Sequence, residues 1–187
     1  KQLTEKSTVN FEDLFPALSN AGEHYALTLP ATVDSGIFAG MGSGGSKVAI
    51  FNRNAAKKAE FTGFIQAAWM PNGGLIVAGE GGANRGLFII DANFKTIKKL
   101  VDGFDTAQMP AVSPDGKQVA FVNNGEIWTI GIDGTNPKVA ILGSVSSFPT
   151  WSPDGKYRAA VVRTVPPGEI ITKNLIFIAK FNTTEGF

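Results

Sequence analysis

The chain has 187 residues, 43% of them apolar and 18% charged, a balance that belongs to a folded domain and excludes a disordered one. A net charge of +1, with no basic run longer than Lys57-Lys58 or Lys98-Lys99, gives no nucleic-acid surface, and such pairs suit solvated strand edges. The absence of cysteine excludes a disulfide framework and a thiolate metal site. No apolar run approaches the ~18 residues of a membrane span.

The chain opens on Lys1-Gln2-Leu3-Thr4, with neither Met nor an apolar leader, as a processed chain does. Residues 9–15 read as a connection, and the first hairpin follows as Ala17-Leu18-Ser19-Asn20-Ala21-Gly22-Glu23-His24-Tyr25. A second hairpin is Ala68-Trp69-Met70-Pro71-Asn72-Gly73-Gly74-Leu75. The third and fourth turn on Val112-Ser113-Pro114-Asp115-Gly116-Lys117 and Trp151-Ser152-Pro153-Asp154-Gly155-Lys156. In such a turn proline presets φ, the aspartate accepts a local backbone hydrogen bond and glycine takes a positive φ. Leu18, Trp69, Val112 and Trp151 fall in one column, at spacings of 51, 43 and 39 residues.

Each hairpin continues into a third apolar strand: Lys47-Val48-Ala49-Ile50-Phe51, Leu87-Phe88-Ile89-Ile90, Ile127-Trp128-Thr129-Ile130 and Leu175-Ile176-Phe177-Ile178. A fourth strand follows three times, as Ala59-Glu60-Phe61-Thr62, Lys98-Lys99-Leu100-Val101 and Val139-Ala140-Ile141-Leu142. A repeat of four antiparallel strands in roughly 40 residues is the size of one propeller blade. The expected fold is therefore all-β: a single β-propeller domain of four-stranded antiparallel blades at 8–62, 63–101, 102–142 and 143–181. The last repeat stops at its third strand. Lys1-Gln2-Leu3-Thr4 has the pattern of Lys98-Lys99-Leu100-Val101, so residues 1–5 are expected to complete the fourth blade. Two readings stay open, a small closed ring and part of a larger propeller.

The Ser-Pro-Asp-Gly-Lys turns after Val112 and Trp151 resemble the TolB-type, WD-repeat-like β-propeller repeat. The resemblance covers essentially the whole chain, closely in the third and fourth copies, less in the second and least in the first. It implies a propeller, usually of six or more blades, often in the bacterial periplasm or on the cell surface. It implies protein binding more often than catalysis, though the family also supplies the propeller domain of serine peptidases.

Candidate chemistry is sparse. Gly40-Met41-Gly42-Ser43-Gly44-Gly45 matches G-x-G-x-x-G but leads into a strand, where a dinucleotide site needs a helix N-terminus. No Ser sits in a G-x-S-x-G elbow. His24, the only histidine, aligns with Gln118 and reads as a solvated hairpin residue, too isolated for a triad or a histidine metal site. Asp115 and Asp154 are explained by their turns, and Trp69 and Trp151 by packing between blades. Asn182-Thr183-Thr184 is a sequon, relevant only in a glycosylating secretory pathway.

No catalytic, cofactor or metal residue is expected. A protein partner is expected at the channel mouth, where connections lead from each outer strand to the next inner strand. Asp13, Gln66, Gln108 and Ser147 are the polar candidates there, and Phe15, Met109 and Phe148 the apolar ones. The reading is a non-catalytic binding or scaffold propeller of a periplasmic or extracellular assembly. The alternatives are a propeller belonging to a larger hydrolase of serine-peptidase type, or one that binds a small ligand or carbohydrate.

Overall fold

The computed structural model describes residues 15–29, 45–141, 146–164 and 173–180. The described residues hold fifteen strands and no helix. The first sheet joins β1 (Ala17–Leu18), β2 (His24–Leu29), β3 (Lys47–Asn52) and β4 (Lys57–Thr62) in that order. The second joins β5 (Phe64–Trp69), β6 (Leu75–Gly81), β7 (Asn84–Ile90) and β8 (Ile97–Lys99). The third joins β9 (Gln108–Val112), β10 (Gln118–Asn123), β11 (Glu126–Gly131) and β12 (Lys138–Ile141). The fourth has β13 (Ser146–Trp151), β14 (Tyr157–Thr164) and β15 (Lys173–Lys180). All pairs are antiparallel between sequence neighbours, so the molecule is a β-propeller of four blades. β1 touches β5, β5 touches β9 and β9 touches β13, which makes the first strand of each blade the inner one.

The turns form as their residues dictate. In the third blade the Gly116 amide donates to Ser113 O at 2.8 Å, and the Lys117 amide to Asp115 Oδ1 at 3.0 Å. The Ser113 hydroxyl donates to Asp115 at 2.6 Å and accepts from the Gln118 amide at 2.9 Å. The fourth blade repeats the set through Ser152, Asp154, Lys156 and Tyr157. Gly116 and Gly155 hold φ at 70° and 71°, a region that only glycine enters without strain. In the first blade, where Asp and Pro are missing, Ser19 alone keeps the turn, through the His24 and Gly22 amides.

The core lies between blades. Ala26, Val48 and Ile50 of the first pack on Phe64, Trp69, Leu75, Val77 and Ile90 of the second. Ile76, Ala78 and Leu87 of the second pack on Val119, Phe121 and Ile130 of the third. A smaller cluster, Val122 and Ile127 with Ala160, joins the third to the fourth. The second and third blades thus offer one apolar face backward and another forward, which is why their strands are apolar on both sides.

Two expectations are corrected. His24 is half-buried, not solvated: its ring stacks on Trp69 at 6.1 Å and meets Phe94 edge-on at 5.5 Å, because the turn ahead of β8 carries Phe94 across the blade junction. Gln66, Gln108, Met109, Ser147 and Phe148 lie inside inner strands, not in the connections before them. The step from β4 to β5 takes only Gly63, so the inner strand starts earlier than the turn chemistry suggests. The expected pairing of residues 1–5, Asp13, the glycine-rich run through Gly44 and the sequon at 182–184 lie outside the described residues.

Candidate functional site: the axial channel

Two rings of residues, three positions apart on the inner strands, define the channel. The first is a ring of bulges. Phe15, Gln66, Met109 and Phe148 have φ of 30°, 51°, 52° and 53°, and their spacing repeats that of the tryptophan column. Positive φ is uncommon in residues other than glycine and costs on the order of 1–3 kcal/mol unless the surroundings enforce it. In the second, third and fourth blades it coincides with a shift of register between inner and second strand. Proline follows at Pro16, Pro110 and Pro149, as suits a bulge on a strand edge.

The bulge turns one amide away from its own sheet, and the blade before it supplies the acceptor. The Gln66 amide donates to Thr28 Oγ1 at 2.9 Å, the Met109 amide to Gln66 Oε1 at 2.8 Å and the Phe148 amide to Met109 Sδ at 3.5 Å. Of the residues expected at the mouth, Gln66 is buried, while Met109, Ser147 and Phe15 are half-buried. Gln108 is exposed, and Phe148 is 55% exposed. The structure therefore brings Gln66, Met109 and Phe148 together as links between blades. Of those candidates that lie among the described residues, Phe148 and Gln108 present their side chains to solvent.

The second ring lies at the other end of the inner strands, beside the hairpin turns. There a cavity of about 520 Å³ opens on the axis, with walls from all four blades. Leu18, Val112 and Trp151 supply apolar wall, Pro114 and Pro153 its rim, and Asn20 its amide. Among the described residues the lining carries no charged side chain. Leu18 is 68% exposed, an unusual state for a leucine ringed by other apolar groups.

Tryptophan indoles brace this end. Trp69 Nε1 donates to Ala17 O at 2.9 Å, and Trp151 Nε1 to Ala111 O at 3.0 Å. Each bond runs from one blade to the inner strand of the blade before it. It fastens the first blade to the second and the third to the fourth, while Val112, with no side-chain N–H, leaves the junction of the second and third without this bond. The Trp151 ring also carries the Arg158 guanidinium at 5.5 Å. Behind the rim, the Ser113 hydroxyl and the Lys117 amide hold the Asp115 carboxyl below the usual carboxylate range; Ser152 and Lys156 do the same for Asp154. These carboxylates are committed to their turns and are not poised for proton transfer. Such a cavity can take an apolar side chain or a short extended segment and offer it hydroxyl, amide and backbone groups.

The sequence reading missed this end of the channel. Two signals pointed to it: a tryptophan directly before the turn in alternate repeats, and an apolar residue followed by proline three positions earlier.

The architecture and its channel define a β-propeller, and the solved structures it is similar to are propeller proteins. TolB from Acinetobacter baumannii superposes with a TM-score of 0.66 at 17% identity, over 92% of this chain and 42% of that one. A protein from Agrobacterium tumefaciens assigned as TolB gives 0.70 at 16% identity, over 95% and 66%. The β-propeller domain of the Trilobed protease from Pyrococcus furiosus gives 0.60 at 12% identity, over 89% and 55%. The chain thus spans less than two thirds of each of these structures. No protein-family model matches it, and no curated protein matches it in sequence.

Proposed function

We propose that the chain is a non-catalytic, protein-binding propeller that serves as a scaffold subunit of an extracytoplasmic assembly. The observation that carries this reading is the axial cavity, in which an exposed Leu18 faces wall contributed by every blade. Buried at an interface, Leu18 would contribute roughly 1.5–3 kcal/mol, the size of an anchoring contact. The test places a photo-crosslinking residue at Leu18 in the native host. One discrete adduct, lost when Trp151→Ala opens the cavity wall, supports the reading. No adduct, or an adduct indifferent to Trp151→Ala, removes it.

A second reading, the propeller of a larger hydrolase, is favoured by the similarity to the Trilobed protease propeller domain. A reading frame that continues into an α/β domain with a G-x-S-x-G elbow would decide for it.

A further inference from the structure

Two Asn-Gly pairs occur in the chain, Asn72-Gly73 and Asn124-Gly125. Both asparagines are exposed on turns, yet the backbone holds them differently. The Gly73 amide donates to Met70 O at 3.0 Å, and Asn72 Oδ1 accepts from the Gly74 amide at 3.0 Å. The glycine nitrogen and the carboxamide are thus each committed to the Pro-Asn-Gly turn of the second blade.

Asn124-Gly125 is the two-residue loop between β10 and β11, flanked by the pair Asn123↔Glu126. Its φ values are 50° and 81°, positive at both positions as in a type I′ turn. The closing hydrogen bond of such a turn runs between the flanking residues, and the Gly125 amide has no acceptor among the described residues. A type II′ turn closes the same hairpin and differs by rotation of the Asn124–Gly125 peptide, with φ reversed only at the glycine. That rotation swings the Gly125 nitrogen toward Asn124 Cγ and leaves the ladder intact.

The carboxamide is prepared as well. The Thr106 hydroxyl lies 2.8 Å from Asn124 Oδ1 and 2.7 Å from Asn123 Oδ1, with one hydrogen to give. The Asn124 amide donates back to Thr106 Oγ1 at 3.2 Å and keeps the hydroxyl over the turn. A donor at Asn124 Oδ1 stabilises the negative charge that gathers there when a nucleophile adds to Cγ.

We propose that Asn124 is a self-modifying site, converted to aspartate and isoaspartate by attack of the Gly125 amide nitrogen, with the Thr106 hydroxyl as donor to the carboxamide oxygen. The Gly125 nitrogen bonds to Asn124 Cγ, the Cγ–Nδ2 bond breaks, and the amide proton leaves with Nδ2 as ammonia. Water then opens the cyclic imide. Opening at Cγ gives aspartate, and opening at the main-chain carbonyl gives isoaspartate. Either product carries one new negative charge. Val122 pairs with Gln108, so this turn stands at the bulge end of the channel, where the exposed Gln108 and Phe148 are uncharged. Conversion therefore changes the charge of that mouth as the molecule ages, whatever occupies the cavity at the other end.

The test incubates the intact chain at mildly alkaline pH, where the amide proton is lost more readily, and follows both asparagines by peptide mass spectrometry. The peptide carrying Asn124 should exchange NH2 for OH and split into aspartate and isoaspartate forms. Two hydrogen bonds must open before Asn72 reacts and none before Asn124, so Asn124 should convert at least tenfold faster. In urea, which removes both turns, the two rates should converge. Thr106→Val should slow Asn124 at least threefold and leave Asn72 unchanged. A smaller ratio in the folded chain would overturn the proposal. So would a ratio that persists in urea, or an Asn124 that stays intact while the unfolded chain reacts. Conversion of Asn124 at the parent rate in Thr106→Val would overturn the role given to the hydroxyl.

Discussion

Replacing Trp69 tests whether the blades are held by their junctions. Trp69 is 7% exposed, packs between the first and second blades, and spends its indole N–H on Ala17 O at 2.9 Å. Trp69→Phe keeps most of the apolar ring but orphans that carbonyl. The expected cost is about 1–2 kcal/mol, the hydrogen bond plus a small void. Trp69→Ala also removes the ring that stacks on His24 and abuts Phe94, and should cost about 3–5 kcal/mol. Trp151 makes the same bond to Ala111 O at 3.0 Å but is only half-buried, so Trp151→Ala should cost less than Trp69→Ala, about 1–3 kcal/mol. The assay is urea unfolding followed by far-UV circular dichroism, which does not depend on the tryptophan removed. A cost below about 0.5 kcal/mol for Trp69→Phe would refute the brace. Trp151→Ala costing more than Trp69→Ala would refute the tighter packing of Trp69 at the junction of the first and second blades.

The remaining predictions concern the turns and the bulges. Ser113→Ala removes a hydroxyl that both accepts from Gln118 and donates to Asp115, and should lower stability by about 1–2 kcal/mol in the same urea assay. Asp115 and Asp154 have folded-state pKa values below their unfolded ones, so they add stability above the unfolded value of about 4 that is lost as pH falls through the folded values. The urea midpoint should accordingly drop on acidification below about pH 4.5, and Asp115→Asn should flatten that drop. Gln66→Ala leaves the Met109 amide without its acceptor and should cost about 1–3 kcal/mol, with faster exchange read at the Met109 amide itself.

The turns were legible because their chemistry is local. Ser113-Pro114-Asp115-Gly116 specifies its own geometry whatever lies around it, and the four-strand period followed from its copies. Register in the fourth blade was harder. Leu175-Ile176-Phe177-Ile178 is apolar at every position, so no alternation marks which residues share a face, and pairing with β14 sets the counterpart of Leu87–Ile90 as Ile176–Ala179. The bulges were hidden for a different reason. Gln66, Met109 and Phe148 have no intrinsic preference for positive φ, and only the acceptor on the preceding blade makes that conformation worthwhile. His24 was misjudged on the same ground: its neighbours Trp69 and Phe94 lie 45 and 70 residues away and meet it only in the assembled ring. The cavity beside Leu18 exists only once four inner strands surround an axis.

The bulge amides give the repeat a direction of dependence. A blade cannot satisfy its own bulge; the acceptor belongs to its predecessor, so each unit reaches its full stability only after the unit before it is in place. The acceptors are a threonine hydroxyl, a glutamine carbonyl and a methionine sulfur, which share almost nothing but reach. What these three joints require is therefore reach and a lone pair, not one residue type. Three blades that differ in sequence at this point thus share one mechanical joint.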